Sequence, residues 1–182
     1  MSAASALKAA PSAEPFSFEA LYGEAFDLVW RTLGRLGVPP GSLDDACQEV
    51  FLLVHRRRDQ FRGQSTLKTW VVGIAIRVAA KHRRTARRKP DAQPIDAQVP
   101  DPSLTPLERA SQEQERALVY RLFEQLPEEH REVLVLTEME QMTGPEVSEA
   151  LGLNLNTVYS RLRLARHAFD AALEAWHTGA LK

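Results

Sequence analysis

Arg161, Arg163 and Arg166 fall close together in a segment that otherwise reads as one amphipathic helix. Guanidinium groups present forked donors that match phosphate oxygens and the acceptor edge of guanine, so the chemistry on offer is recognition of nucleic acid. Val158, Leu162, Ala165 and Phe169 recur at the spacing of one buried stripe, and Asn156, Thr157, Tyr159, Ser160 and the three arginines lie off it. The residues before this helix supply what must position it. Thr143 and Glu146 have capping-box spacing, and Pro145 is tolerated in a first turn whose N–H groups lack intrahelical partners. Val147, Ala150 and Leu151 share one face, Gly152 suits a left-handed helix end, and Asn154 suits the next cap. Residues 143–169 therefore read as a helix-turn-helix whose second helix enters the major groove of DNA. A helical hairpin with a solvated charged face is the competing reading.

Other chemistry finds little support. The histidines at 55, 82, 130, 167 and 177 are scattered outside any metal-ligand pattern, and no glycine-rich phosphate loop occurs. No catalytic residue, metal, cofactor or small-molecule substrate is expected. Cys47, the lone cysteine, suits a reducing cytosol and a small core-lining role within a helical pattern. The longest apolar runs, such as Trp70 to Ile76, fall far short of a membrane span. The first fifteen residues read as a disordered tail rather than a signal peptide. A cytoplasmic protein is expected.

The formal net charge of −1 argues against a chain that coats DNA indiscriminately, but the charges are segregated. Arg77, Lys81, Arg83, Arg84, Arg87, Arg88 and Lys89 follow one another without an acid between them. These exceed what helix capping needs and suggest a phosphate-binding surface. Asp91, Asp96, Asp101 and Glu108 then arrive among Pro90, Pro94, Pro100, Pro102 and Pro106, a composition that reads as an extended linker.

The block before that linker patterns as helices. Phe18, Leu21, Phe26, Val29, Leu33 and Leu36 form one stripe, ended by Gly37 and the Pro39-Pro40-Gly41 break. Ser42 and Asp45 have capping-box spacing for a second helix that turns Ala46, Val50, Leu53 and Val54 inward. Ser65 or Thr66 caps a third, with Leu67, Trp70, Val71, Ile74 and Val78 on one face. The expected fold class is all-α, as two small helical domains: a tail over 1–15, one domain over 16–89, a Pro-rich linker over 90–110 and a second domain over 111–178.

Taken in order, these blocks resemble a known family. DDACQEVFLLVHRRRDQFRG followed by STLKTWVVGIAIRVAAKHRR is similar to region 2 of bacterial sigma factors, and LPEEHREVLVLTEMEQMTGPEVSEALGLNLNTVYSRLRLAR is similar to their region 4. The signature residues are Asp45, Gln48, Glu49 and Phe51, then Arg62 to Trp70, then Thr157 to Leu162. With only a linker between, the chain resembles the extracytoplasmic-function (ECF) sigma factors of the sigma-70 family. The resemblance implies an alternative sigma factor, without enzymatic activity, whose partners are core RNA polymerase, promoter DNA and a cognate anti-sigma factor that in this family is often membrane-bound. It assigns core-polymerase binding to Asp44, Asp45, Gln48, Glu49, Phe51 and Arg56. It places the minus-ten element, with one flipped base, against Phe61, Arg62, Gly63, Gln64, Ser65, Thr66 and Lys68, and then against Trp70, Arg77, Lys81 and Arg84. The minus-thirty-five duplex falls to Asn156, Thr157, Tyr159, Ser160, Arg161, Arg163 and Arg166. Arg77, Asn156 and Tyr159 depart from residues common in the family. A stand-alone helix-turn-helix regulator is the alternative function, and it would not need the acidic-polar face of the second helix.

Overall fold

The structure is a computed structural model that describes residues 16–88, 118–119 and 121–180. The tail expected over 1–15, the linker expected over 90–110 and residues 111–117 of the second block lie outside the described residues. No strand occurs among the described residues.

Three helices form the N-terminal unit: α1 (Phe18–Arg35), α2 (Leu43–Arg57) and α3 (Leu67–Arg88). Ser17 starts α1 by accepting a hydrogen bond from the Ala20 N–H. Gly37, at φ +85°, turns the chain out of α1, a backbone conformation that a side chain would strain. A Cβ there would also lie 2.6 Å from a guanidinium nitrogen of Arg131. The expected stripe of α1 holds: Leu21, Val29, Leu33 and Leu36 are buried, with Phe18 and Phe26 half-buried beside them.

Two local expectations divide here. Thr66 does cap α3, accepting the Thr69 N–H at 3.1 Å. The capping box expected at Ser42 and Asp45 does not form. A 3-10 turn over Pro40–Ser42 leads into α2 and leaves Ser42 at φ −115°, ψ 1°, with no side-chain cap. That backbone is far from the extended geometry in which a cap side chain reaches the first free N–H groups. Cys47 is buried, and burial pushes its thiol up to about 11.

The C-terminal unit contains helical residues 121–125, then α4 (Glu128–Leu134), α5 (Gly144–Leu151) and α6 (Leu155–His177). Beyond Leu134 the helix widens into a π turn over Val135–Met139, which the Glu140 N–H closes onto the Val135 carbonyl. Gln141 follows at φ +55°, an uncommon conformation for a non-glycine residue. Buried Arg131 donates to the carbonyls of Phe123, Glu124 and Leu126, satisfying the end of the 121–125 helix.

The two units share one hydrophobic core. Leu33, Val50, Val71 and Val78 belong to the same buried cluster as Val133, Leu136, Val147 and Val158. α3 packs against α1 and α2 and also along α5. Every residue of α3 from Val71 to Ile76 is consequently buried, where one apolar face was expected.

Candidate nucleic-acid interface

The helix-turn-helix forms as its residue types require. The carboxylate of Glu146 accepts both the backbone N–H and the hydroxyl of Thr143, each at 2.8 Å, which holds that carboxyl below the usual range. Gly152 ends α5 at φ +66°, and Asn154 opens α6 by accepting the Asn156 N–H at 2.8 Å. Val158, Leu162 and Ala165 are buried, while Phe169 packs its ring 5.6 Å from that of Phe123. The opposite face of α6 carries exposed Asn156, Tyr159, Ser160, Arg163 and Arg166, with Thr157 and Arg161 half-buried.

The three arginines are not equivalent. Arg161 pairs with Glu129 at 2.7 Å, and Arg166 grips one oxygen of Glu138 through two nitrogens. Arg163 is exposed and forms no ion pair among the described residues. Tyr159 leans back on the first residue of α5, since a Cβ added at Gly144 would lie 2.7 Å from its hydroxyl. The Ser160 hydroxyl donates to the Thr157 carbonyl at 3.0 Å.

At the other candidate DNA surface, Arg62, Gly63 and Gln64 are exposed in the loop before α3, with Ser65 half-buried. Phe61 and Trp70 meet at 5.4 Å between ring centroids, and Phe16 lies edge-on to both at about 6 Å. Aromatic planes beside a polar loop suit an unpaired base, which needs a stacking surface and edge partners. Thr66 is committed to its cap, and the Lys68 ammonium donates to the Glu140 carbonyl at 2.9 Å. Arg77 and Arg84 are exposed along α3. Arg83 is not part of that basic surface. It is 5 % exposed, donating to the Leu36 carbonyl at 2.6 Å and to the carboxylates of Glu128 and Glu132.

On α2, Asp44, Asp45, Gln48 and Arg56 are exposed and Phe51 is buried. Glu49 turns instead to α3, where Lys81 reaches it at 2.7 Å and His82 at 3.1 Å. Partial burial works against its ionisation, but the hydrogen bonds from Lys81 and His82 prevail and hold its carboxyl below the usual range. Residues assigned to two different surfaces, Glu49 and Lys81, thus hold each other. Beside this face runs an open groove of about 680 Å³, lined by Tyr22, Phe26, Trp30, Phe51 and Leu52 and rimmed by Asp44 and Asp45. Sequence reasoning passed over Tyr22 and Trp30. Their signal was the recurrence of an aromatic every fourth residue at 18, 22, 26 and 30, a row that drifts out of the buried stripe.

Two family models match the chain in this order: "Sigma-70 region 2" over residues 21–89 and "Sigma-70, region 4" over residues 116–168. The ECF RNA polymerase sigma-E factor of Escherichia coli is 30 % identical over 146 residues, covering 73 % of this chain and 74 % of that protein. The chain belongs to the ECF sigma-70 family. The RNA polymerase sigma-H factor of Pseudomonas aeruginosa is 32 % identical over 139 residues, covering 71 % of this chain and 72 % of its own. Among solved structures, CnrH in complex with the cytosolic domain of CnrY shares the fold. The TM-score is 0.68 at 23 % identity, with 87 % of this chain and 88 % of that one covered. The sigma factor RpoE of Bartonella quintana, solved with the anti-sigma factor NepR, gives 0.65 at 17 % identity, covering 86 % and 96 %. The all-α fold of this ECF sigma-70 chain therefore agrees with the expectation from its sequence. No helix among the described residues is long and apolar enough to cross a membrane.

Proposed function

We propose that the chain is an alternative sigma factor that joins core RNA polymerase, recognises promoter DNA and promotes strand opening without chemistry of its own. The observation that carries this reading is the pairing, on one chain, of an exposed helix-turn-helix with a separate polar loop backed by Phe61 and Trp70. A duplex offers base edges to a helix, whereas melted strands need a pocket and stacking planes. The minus-thirty-five element falls to the exposed face of α6, with Arg163 the guanidinium best placed to reach a base edge. The minus-ten element falls to Arg62, Gly63, Gln64 and Ser65, with Arg77 and Arg84 following the strands.

Core polymerase falls to Asp44, Asp45, Gln48 and Arg56 together with the aromatic groove beside them. Charge complementarity at such a face sets encounter rate and register, and aromatics that become covered on binding supply affinity. Glu49 holds α2 to α3 rather than meeting the polymerase. A cognate anti-sigma factor is the expected regulator, supported by the partners with which the two related folds were solved. The protein is cytoplasmic, and at the membrane only where such a partner holds it. Run-off transcription with core polymerase on a promoter library tests the proposal. The chain should confer initiation at a subset of sequences sharing two elements. Sequence-specific duplex binding without core association or transcripts would instead make it a stand-alone regulator.

A further inference from the structure

Among the described residues Gly37, Gly63, Gly152 and Gly179 take left-handed backbone, and Gly144 does not. Its conformation does not call for glycine, and alanine there would favour the helix. What calls for glycine is space. A Cβ on Gly144 would lie 2.7 Å from the hydroxyl of Tyr159, 2.9 Å from its Cζ and 3.1 Å from its Cε1. The far end of the tyrosine ring therefore occupies the place of the missing side chain. The seat beneath the ring is firm. Glu146 holds the N–H and hydroxyl of Thr143 on one side, and Pro145 has a fixed φ on the other. Val147 and Val158 are fully buried on the two helices that pack together here.

We infer that Tyr159 reads a thymine methyl in the upstream duplex, and that Gly144 is the positioning residue that aims it. The inference rests on the sigma-factor reading above and names one base contact within it. Tyr159 is 53 % exposed. On α6 it stands one turn from both Asn156 and Arg163, which are exposed on the same face. Hydrogen-bonding groups thus flank an aromatic plate on both sides. With its hydroxyl end resting on α5, the plate offers ring carbon to a groove rather than a donor. Of the groups that base pairs present in the major groove, only the C5 methyl of thymine is apolar. A tyrosine swung free of α5 would instead carry its hydroxyl toward phosphate oxygens. Gly144 decides between these two states, because a β-carbon there must push the ring out. What moves is the far end of a half-exposed side chain, so the push costs little stability and changes mainly the contact.

Selection of duplexes from a random pool by the full chain with core polymerase, against core alone, supplies the upstream sequence for the test. Each thymine of that sequence is then replaced in turn by deoxyuridine, which removes the methyl and keeps every hydrogen-bonding group. The wild type should lose affinity roughly three- to fivefold at one position, the effect of uncovering one methyl. Tyr159→Phe should show the same dependence, because its ring stays seated, and Tyr159→Ala should show none. Gly144→Ala should lose the dependence while unfolding at no lower temperature than wild type. In a Tyr159→Ala background it should add nothing. Deoxyuridine tolerated at every position would overturn the inference, as would a Gly144→Ala protein that fails to fold or keeps the wild-type dependence. So would a Tyr159→Phe protein that loses the dependence, since the hydroxyl would then be the reader, or a Tyr159→Ala protein that weakens all duplexes alike. A selected sequence that yields no transcripts with core removes the sigma-factor reading and leaves the methyl contact standing. No selection beyond that of core alone overturns both.

Discussion

α3 and α6 are both long helices rich in cations, yet they are buried differently. α6 keeps its second face in water, and two of its arginines pair with acids of their own unit, Glu129 and Glu138. α3 is enclosed on two sides through its middle, and Arg83 pairs with acids of the other unit. Burial between units can be undone by moving one of them, while burial within a unit cannot. The same residue types therefore tie elements of one unit together in α6 and tie the two units to each other in α3.

Two truncations separate burial within a unit from burial between units. Leu33 is fully buried within the N-terminal unit, so Leu33→Ala should cost about 2–5 kcal/mol in thermal or denaturant unfolding. Arg35→Ala should behave differently. Stranding a buried carboxylate costs about 3–5 kcal/mol when it has no escape, but Glu140 lies between the two units and can reach water if they separate. The variant should thus expand the molecule in scattering with little change in the unfolding of either unit. A loss in unfolding stability as large as that of Leu33→Ala would mean that the two units are one permanent core.

A second set concerns the α6 arginines. Arg163→Ala should cost about 1–3 kcal/mol in binding a minus-thirty-five duplex and relax choice at one position, if it reads a base edge. Arg161→Ala and Arg166→Ala should cost less, since each must first leave its acid. Removing the acids reverses the sign. Glu129→Gln with Glu138→Gln should raise duplex affinity and steepen the salt dependence by up to about one unit per arginine released to phosphate. An unchanged salt slope in a titration from low to moderate salt would show that the ion pairs do not compete with DNA.

The smallest effect belongs to Glu49. Its carboxyl is held below 4.5, so it stabilises the fold at neutral pH and loses that contribution as pH falls through the lowered value. Glu49→Gln should cost no more than about 1 kcal/mol at pH 7. The gap from wild type should close on acidification below 4.5, as read from melting temperature across pH.

What could be read in the sequence was mostly local. The carboxylate of Glu146 at Thr143, the left-handed Gly152, and the caps at Asn154 and Thr66 each follow from chemistry within a few residues. Ser42 failed because the preceding prolines impose a turn whose backbone outranks a cap pattern. Arg83 belongs to the cation run that suggests a phosphate-binding surface, and the acids that engage it lie 45 and 49 residues away, where no spacing rule reaches. Even so, the uninterrupted run Val71-Val72-Gly73-Ile74-Ala75-Ile76 carried a hint, since a helix apolar all round is enclosed all round. The polar face of α6 is legible in the sequence, but which of its arginines are already engaged depends on Glu129 and Glu138, brought there by tertiary packing.

Strand opening is the step on which the proposed function turns. Permanganate reactivity of thymines across a minus-ten element measures that directly. With core polymerase and wild-type chain, those thymines should become reactive on duplex promoters, and on neither component alone. Gln64→Ala with Ser65→Ala should suppress reactivity on the duplex. Extruding a base costs a few kcal/mol that the loop must return. Activity should be largely restored on a template mismatched beforehand across the element. Thymines that stay unreactive with wild-type chain and core, on promoters the chain demonstrably binds, would contradict that function.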